Sequence, residues 1–339
     1  MQPFRFGIQV SQLPYDRWRE RVGWYEQLGF TTVSTPDHYL MRQWDPVTLM
    51  AAVAGMTRSA AVGSSVLNVG LRQPIDLARM AATVAAIAAG GCELGLGAGW
   101  MADDFEAAGM PFDGAGVRLS RLAESAEAIR LLWTQETTTY DGEHVRLNAA
   151  PSVLALPLPR MPKLLLGGSM RRALGIAGHH ADIVSVFPAL ASGKIGWPGW
   201  AEGSTVARTA QQTEWARAGA QRAGRDAAAL EFSTQVCFTA VAPDPGPLQQ
   251  AVSTATGVEA RAQDDSTIFL TGTPAEARER LQRRREATGL SYFIVFDPAN
   301  NYANGDAPLP SLPGDSGPGA ADRYLEAFAE AVVRPLTGQ

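Results

Sequence analysis

The chain has 339 residues, 46% apolar and 19% charged, which suits one large soluble domain or two small ones. Its formal charge of −5 is scattered in both signs without a basic block, so nucleic acid is not an expected partner. The most apolar run, residues 81–89, is alanine-rich and too short to span a bilayer. A first strand is predicted at 5–10, directly after an N-terminus without an apolar signal-peptide core. Cys92 and Cys237 lie in apolar stretches and read as buried thiols, which points to a cytoplasmic protein. A helix over 14–28 follows, with Trp18, Val22 and Tyr25 on one stripe. The second strand covers 31–35, and its helix over 45–58 has Asp45 as N-cap and Pro46 at the first helical position. Then come a third strand at 60–67, a helix at 74–89 and a fourth strand at 92–97. Leu119, Leu122, Ala126 and Ile129 mark a helix over 117–133. The fifth strand is at 163–166, its helix at 169–179, the sixth strand at 181–187 and a helix at 205–223. A seventh strand at 231–241 precedes a capping box, Thr273 with Glu276, that opens a helix to Ala287. An eighth strand at 291–296 and a helix at 321–333, stopped by Pro335, complete the alternation.

Eight strands alternating with helices predict a single (β/α)8 TIM-barrel domain over residues 1–339. Segments of about 135–162, 188–203 and 297–319 exceed a minimal barrel and read as insertions after strands 4, 6 and 8, at least one of them a lid. Polar and glycine residues recur where strands hand over to loops: Pro36-Asp37-His38, Gly63–Asn68, Gly95–Trp100 and Leu165–Ser169. A barrel of this kind builds its active site from such strand ends.

Gly167, Gly168 and Ser169 run straight into a helix, where free N–H groups and the positive helix end favour a phosphate. Arg171 and Arg172 strengthen that reading, since cations in a first turn oppose the dipole unless an anion offsets them. The alternative is an ordinary turn with a serine cap. Gly95, Gly97 and Gly99 alternate, lie on one face and leave room for a planar ring, without the spacing of a dinucleotide fingerprint. Gln9 has the opposite parity to Phe6, Ile8 and Val10 and points toward the mouth. Trp44 and Trp100 either wall a pocket or belong to the core. His38 suits proton transfer, against a bland reading of Asp37 and His38 as a cap and a turn histidine. His179 and His180 close a helix, where the dipole accounts for them. No His/Cys/Asp set has metal spacing, and no Gly-x-Ser-x-Gly is present.

The opening Phe4-Arg-Phe-Gly-Ile-Gln9 and Leu28-Gly-Phe-Thr-Thr-Val-Ser-Thr-Pro-Asp-His38 resemble the bacterial luciferase-like oxidoreductases. Gly95–Trp100 with Ala108-Gly-Met-Pro-Phe-Asp113, Arg118–Glu124, Pro162–Ser169 and Ala181–Val184 are similar to the actinobacterial subgroup that uses the deazaflavin coenzyme F420 instead of FMN. The resemblance implies a cofactor across the C-terminal strand ends. Asp37 and His38 would be the catalytic pair, with the histidine near the reactive ring as proton donor or relay, and Asp37 fixing the loop or the imidazole tautomer. It also implies a non-prolyl cis peptide at Ser65-Val66 behind the ring, and a polar contact from Asn68. The expected cofactor site is Gln9, Asp37, His38, Ser65, Val66, Asn68, Gly97, Gly99, Trp100, Gly167, Gly168, Ser169, Met170 and Arg171. Three departures from the pattern stand out. Ala85 and Gly91 replace an Asp and an Arg usual in relatives, Trp100 replaces the glutamate of the sugar-phosphate dehydrogenases, and Asp104 stands in for a usual Glu. The implied activity is F420H2-dependent reduction of an activated C=C, C=N or C=O group in a small molecule or specialised metabolite. An FMN-dependent two-component monooxygenase and a non-catalytic flavin-binding barrel are the alternatives. A homodimer without metal or membrane attachment is the expected state.

Overall fold

Eight parallel strands close on one another in chain order: Arg5–Gln9 (β1), Thr32–Thr35 (β2), Ala61–Ser64 (β3), Cys92–Gly97 (β4), Lys163–Gly168 (β5), Ile183–Val186 (β6), Glu231–Val236 (β7) and Leu290–Phe296 (β8). The computed structural model describes residues 2–14, 16–41, 43–154, 157–188, 196–299 and 319–338. Pairing of β1 with β8 and of β3 with β4 leaves no free edge, so the predicted (β/α)8 barrel is the observed fold. Outward strand residues such as Phe6, Ile8, Leu94 and Phe293 are buried against the helices and form the main core.

The interior is layered. At the base, Arg5 pairs with Glu93 at 2.7 Å and with Glu231, while its guanidinium lies 3.4 Å over the Tyr292 ring. Tyr292 and Thr32 also donate to Glu93, at 3.0 and 3.3 Å. Burial works against the Arg5 charge, but Glu93, Tyr292 and Glu231 outweigh it and hold the guanidinium protonated. Gly7 is required here, since a Cβ on it would lie 2.8 Å from the Tyr292 hydroxyl. Leu165, Ile183 and Ile294 form an apolar cluster with Tyr292, and Val66 packs against it. The barrel is thus sealed by an ion-paired base and an apolar middle, and only its C-terminal mouth presents groups for chemistry.

The local signals hold at the helix starts. Asp45 accepts from the Thr48 N–H at 2.8 Å, and Thr273 with Glu276 forms the capping box. Three expectations are corrected. The seventh strand does not run on to 241: the backbone leaves the barrel at Cys237, whose N–H donates to the Ile268 carbonyl, and Phe238–Val241 pairs with Phe269–Gly272 outside it. The helices Gly246–Thr256 and Ala260–Asp265 lie between those two strands, so an insertion also follows β7. Pro335 does not stop the last helix. Ala320–Phe328 continues through a π turn, Ala329–Val333, into Arg334–Thr337, and Gly338 at φ 74° ends it. The insertion after β4 holds an antiparallel hairpin, Thr137–Asp141 with Arg146–Pro151, and that after β6 the helix Trp197–Gly203. Residues 189–195 and 300–318 of the predicted insertions lie outside the described residues.

Candidate active site

The third strand is interrupted where the sequence places its polar turn. The Ser65-Val66 peptide is cis, and Leu67–Asn68 resumes pairing along β4. Ser64 fastens the break: its hydroxyl accepts from the Gly95 N–H at 2.9 Å and donates to the Gly95 carbonyl at 2.8 Å. A Cβ on Gly95 would lie 1.8 Å from the Ser64 carbonyl oxygen, and one on Gly97 2.7 Å from a Val66 methyl. The room left by these glycines is therefore filled by the bulge of the neighbouring strand, a correction to the reading that it stands open for a ring. Gly99, at φ 77°, turns the chain where a Cβ would meet the Asn68 amide at 2.7 Å. The Asn68 carboxamide itself accepts from the Gly70 N–H at 2.9 Å.

Gln235 on β7 binds the bulge to the first strand. Its amide N–H groups reach the Gln9 side-chain oxygen at 3.0 Å, the Ser65 hydroxyl at 2.8 Å and the Ser65 carbonyl at 3.1 Å. Gln9 and Ser65 thus meet as the sequence suggests. Gln235 was not singled out there, although its polar side chain near the end of a strand is the same signal that marks Gln9.

Asp37 and His38 are adjacent in sequence but serve different partners. Asp37, only 4% exposed, accepts from the Asn68 N–H at 2.9 Å and is held on both oxygens by Arg72. It ties the end of β2 to the segment after the bulge. His38 turns the other way, its Nδ1 2.7 Å from Oδ2 of Asp104 in the helix Ala102–Ala107. The second Asp104 oxygen accepts from the N–H groups of Tyr39 and Leu40, at 3.0 and 3.1 Å. Burial alone would raise the Asp104 pKa, but His38 and the two N–H donors outweigh it and hold the carboxyl below the usual carboxylate range. An ionised Asp104 assigns the proton to Nδ1 and leaves Nε2 without a partner among the described residues; the His38 and Trp100 rings meet edge to face, their centroids 5.6 Å apart. The imidazole tautomer is therefore set by Asp104, not by Asp37.

At the end of β5, a Cβ on Gly168 would sit 2.8 Å from that of Ala173, so glycine lets the helix Arg171–His180 start close to the strand. The N-cap is Met170, which offers no side-chain acceptor, and Ser169 does not cap the helix; its carbonyl accepts from Gln212 at 2.9 Å instead. No acidic side chain stands in the first turn. Helices such as Trp18–Gln27, Pro74–Ile87 and Ala115–Thr134 also start without a side-chain cap. What sets this one apart is that both of its first two positions are arginines. Free N–H donors, the helix dipole and Arg171 together suit an anion such as a phosphate.

The sequence profile of the luciferase-like monooxygenases matches residues 2–256. The chain belongs to this family. The chain is 36% identical over 131 residues to an uncharacterized protein of Mycobacterium tuberculosis, covering 39% of this chain and 44% of that one. It is 30% identical over 189 residues to the F420-dependent glucose-6-phosphate dehydrogenase of Nakamurella multipartita, covering 53% and 55%. The matches span about half the length of these curated relatives. In fold, the chain is similar to an F420-dependent secondary alcohol dehydrogenase in complex with an F420–acetone adduct, at a TM-score of 0.74 and 16% identity over 99% of both chains. Among the described residues, no helix is long and apolar enough to cross a membrane, and no group of His, Cys, Asp and Glu is arranged to hold a metal.

Proposed function

We propose that this luciferase-like protein is an F420-dependent oxidoreductase that reduces an activated C=C, C=N or C=O group in an apolar small molecule. The observation that carries this reading is His38, fixed through Nδ1 on a buried carboxylate with its Nε2 unpartnered among the described residues. The names of the relatives support the cofactor, and the similar alcohol dehydrogenase holds F420 joined to acetone, a carbonyl compound.

The residues present fit a deazaflavin with a phosphate. Val66 offers an apolar floor backed by Leu165, Ile183 and Ile294. Gln9, Ser65 and Gln235 offer polar atoms beside it. Trp100 stands next to His38, and the uncapped turn at Gly167–Met170 with Arg171 would take the phosphate. When bound, the deazaflavin supplies a hydride. The protein's part is the proton: a charged His38 donates from Nε2 to the substrate atom that becomes negative, and Asp104 stabilises the imidazolium and holds its ring plane. In the oxidative direction the same nitrogen, neutral, accepts a proton.

The rim supports an apolar substrate. Of eight exposed large apolar side chains among the described residues, six stand at the C-terminal strand ends: Tyr39 and Leu40 after β2, Met110, Phe112 and Val117 after β4, and Met170 after β5. Trp100, in the place of the sugar-phosphate dehydrogenases' glutamate, argues in the same direction. A cytoplasmic homodimer completes the reading. The family description favours one other reading, an FMN-dependent monooxygenase fed by a reductase.

Oxidation of F420H2 by an apolar enone, followed in air beside oxygenation of the enone with reduced FMN, separates the two. Enone-dependent F420H2 oxidation, with no enone oxygenated when reduced FMN is supplied, is the expected result. Oxygen incorporated into the enone with reduced FMN, and no F420H2 oxidation, would replace this reading with the monooxygenase.

A further inference from the structure

On the outer surface, away from the mouth, the helices Arg171–His180 and Val206–Arg222 bound a groove of about 530 Å3. Its floor is backbone. Gly175 and Gly219 meet where the helices touch, and a Cβ on Gly219 would lie 2.3 Å from the Gly175 carbonyl oxygen. With no side chain at that contact, a trough remains above it. Its walls carry Arg171, Arg172, Arg222 and His179, and no acidic side chain lines it.

The three guanidiniums have no counter-charge among the described residues. Arg172 donates to the neutral hydroxyl of Ser120 at 2.9 Å, while Arg171 and Arg222 have no hydrogen-bond or ion-pair partner there. Arg222 stands in the last turn of its helix, where the dipole favours a cation, but that does not account for its direction. Its guanidinium folds back over the trough, 3.2 Å from where a Gly175 Cβ would be. Arg171 and Arg172 stand in a first turn, where the dipole opposes them. Like charges gathered on a concave surface raise the local anion concentration, and each repulsion is relieved by a bound anion.

We propose that this groove is a second anion site, separate from the barrel mouth, that takes a compact polyanion of the oligophosphate class. Several adjacent charges are needed because the cationic face runs from Arg171 to His179, roughly 12 Å along the helix. It leads away from the strand ends toward the base of the barrel, so a ligand filling it lies outside the hydride-transfer site and shares only Arg171 with the turn that would take the cofactor phosphate.

The test is a calorimetric titration of inorganic triphosphate into the full chain at low ionic strength. It is run on the parent and on Arg222→Gln, each with and without whichever of F420 and FMN the protein binds. Triphosphate should bind the parent, lose affinity steeply with added salt, bind Arg222→Gln at least tenfold more weakly, and stay bound with the cofactor present, at most a few-fold more weakly because only Arg171 is common to both sites. Arg222→Gln should melt like the parent and keep its cofactor affinity. The proposal is overturned if the parent does not bind triphosphate, if Arg222→Gln binds it as well as the parent, or if cofactor displaces it. The last result would put the anion on the turn at Gly167–Met170.

Discussion

Oδ2 of Asp104 lies 2.7 Å from Nδ1 of His38, while its Oδ1 holds the N–H groups of Tyr39 and Leu40. One buried carboxylate therefore fixes the ring, its tautomer and the loop that carries it. His38→Ala should lower turnover about 100- to 10,000-fold, the range of a positioned acid, with a far smaller effect on cofactor affinity. Asp104→Asn keeps the shape but removes the counter-charge of the imidazolium. Its turnover should fall, and Asp104→Glu should restore part of it. Steady-state kinetics checks this, and parental turnover in Asp104→Asn would show that Asp104 does not act through His38.

Asp37 should behave differently. It neutralises Arg72, which is only partly exposed, and anchors Asn68. Asp37→Ala leaves that guanidinium uncompensated and should cost about 3 kcal/mol of stability in urea unfolding. Because Asp37 does not touch His38, its loss should weaken cofactor binding through the displaced bulge.

The alternating glycines of β4 give a graded test. Gly95→Ala drives a methyl into the Ser64 backbone and should prevent folding or cost several times more than Gly97→Ala. Gly97→Ala meets only a Val66 methyl and should cost about 1–3 kcal/mol, a typical overpacking cost. Thermal unfolding of both variants distinguishes them.

Burial, with His179, Arg130 and Arg225 nearby, pushes His180 down to about 4. An unfolded chain takes up that proton near 6.5. Between these values the unfolded state binds more protons than the folded one, so stability is complete above about 6.5 and falls as pH is lowered toward 4. The melting temperature of His180→Gln should fall less than the parent's across that window.

The barrel was legible because its strands are short and five of them are closed by Gly, Pro or Asp (Pro36, Gly97, Gly168, Pro188 and Asp297), and helix starts such as Thr273 carry their caps in sequence. The departure of the chain at Cys237 was not, since the apolar run passes without a break from the barrel into the outer pair Phe238–Val241 and Phe269–Gly272. At the site, Asp37 and His38 stand out as polar residues at a strand end, while their roles and the break at Ser65 were implied by the family resemblance. The partner of His38 could not be placed, because Asp104 reaches it across 66 positions and only the closure of β2, β3 and β4 brings them together. Gln235 was hidden for the same reason, its partners lying on β1 and in the break after β3.

The central claim, a luciferase-like barrel built for a deazaflavin, is tested most directly by fluorescence titration of the protein with F420 and, separately, with FMN. F420 should bind with a low-micromolar or tighter dissociation constant, about 8 kcal/mol or more, and FMN more weakly. Tighter binding of FMN than of F420 would contradict the account.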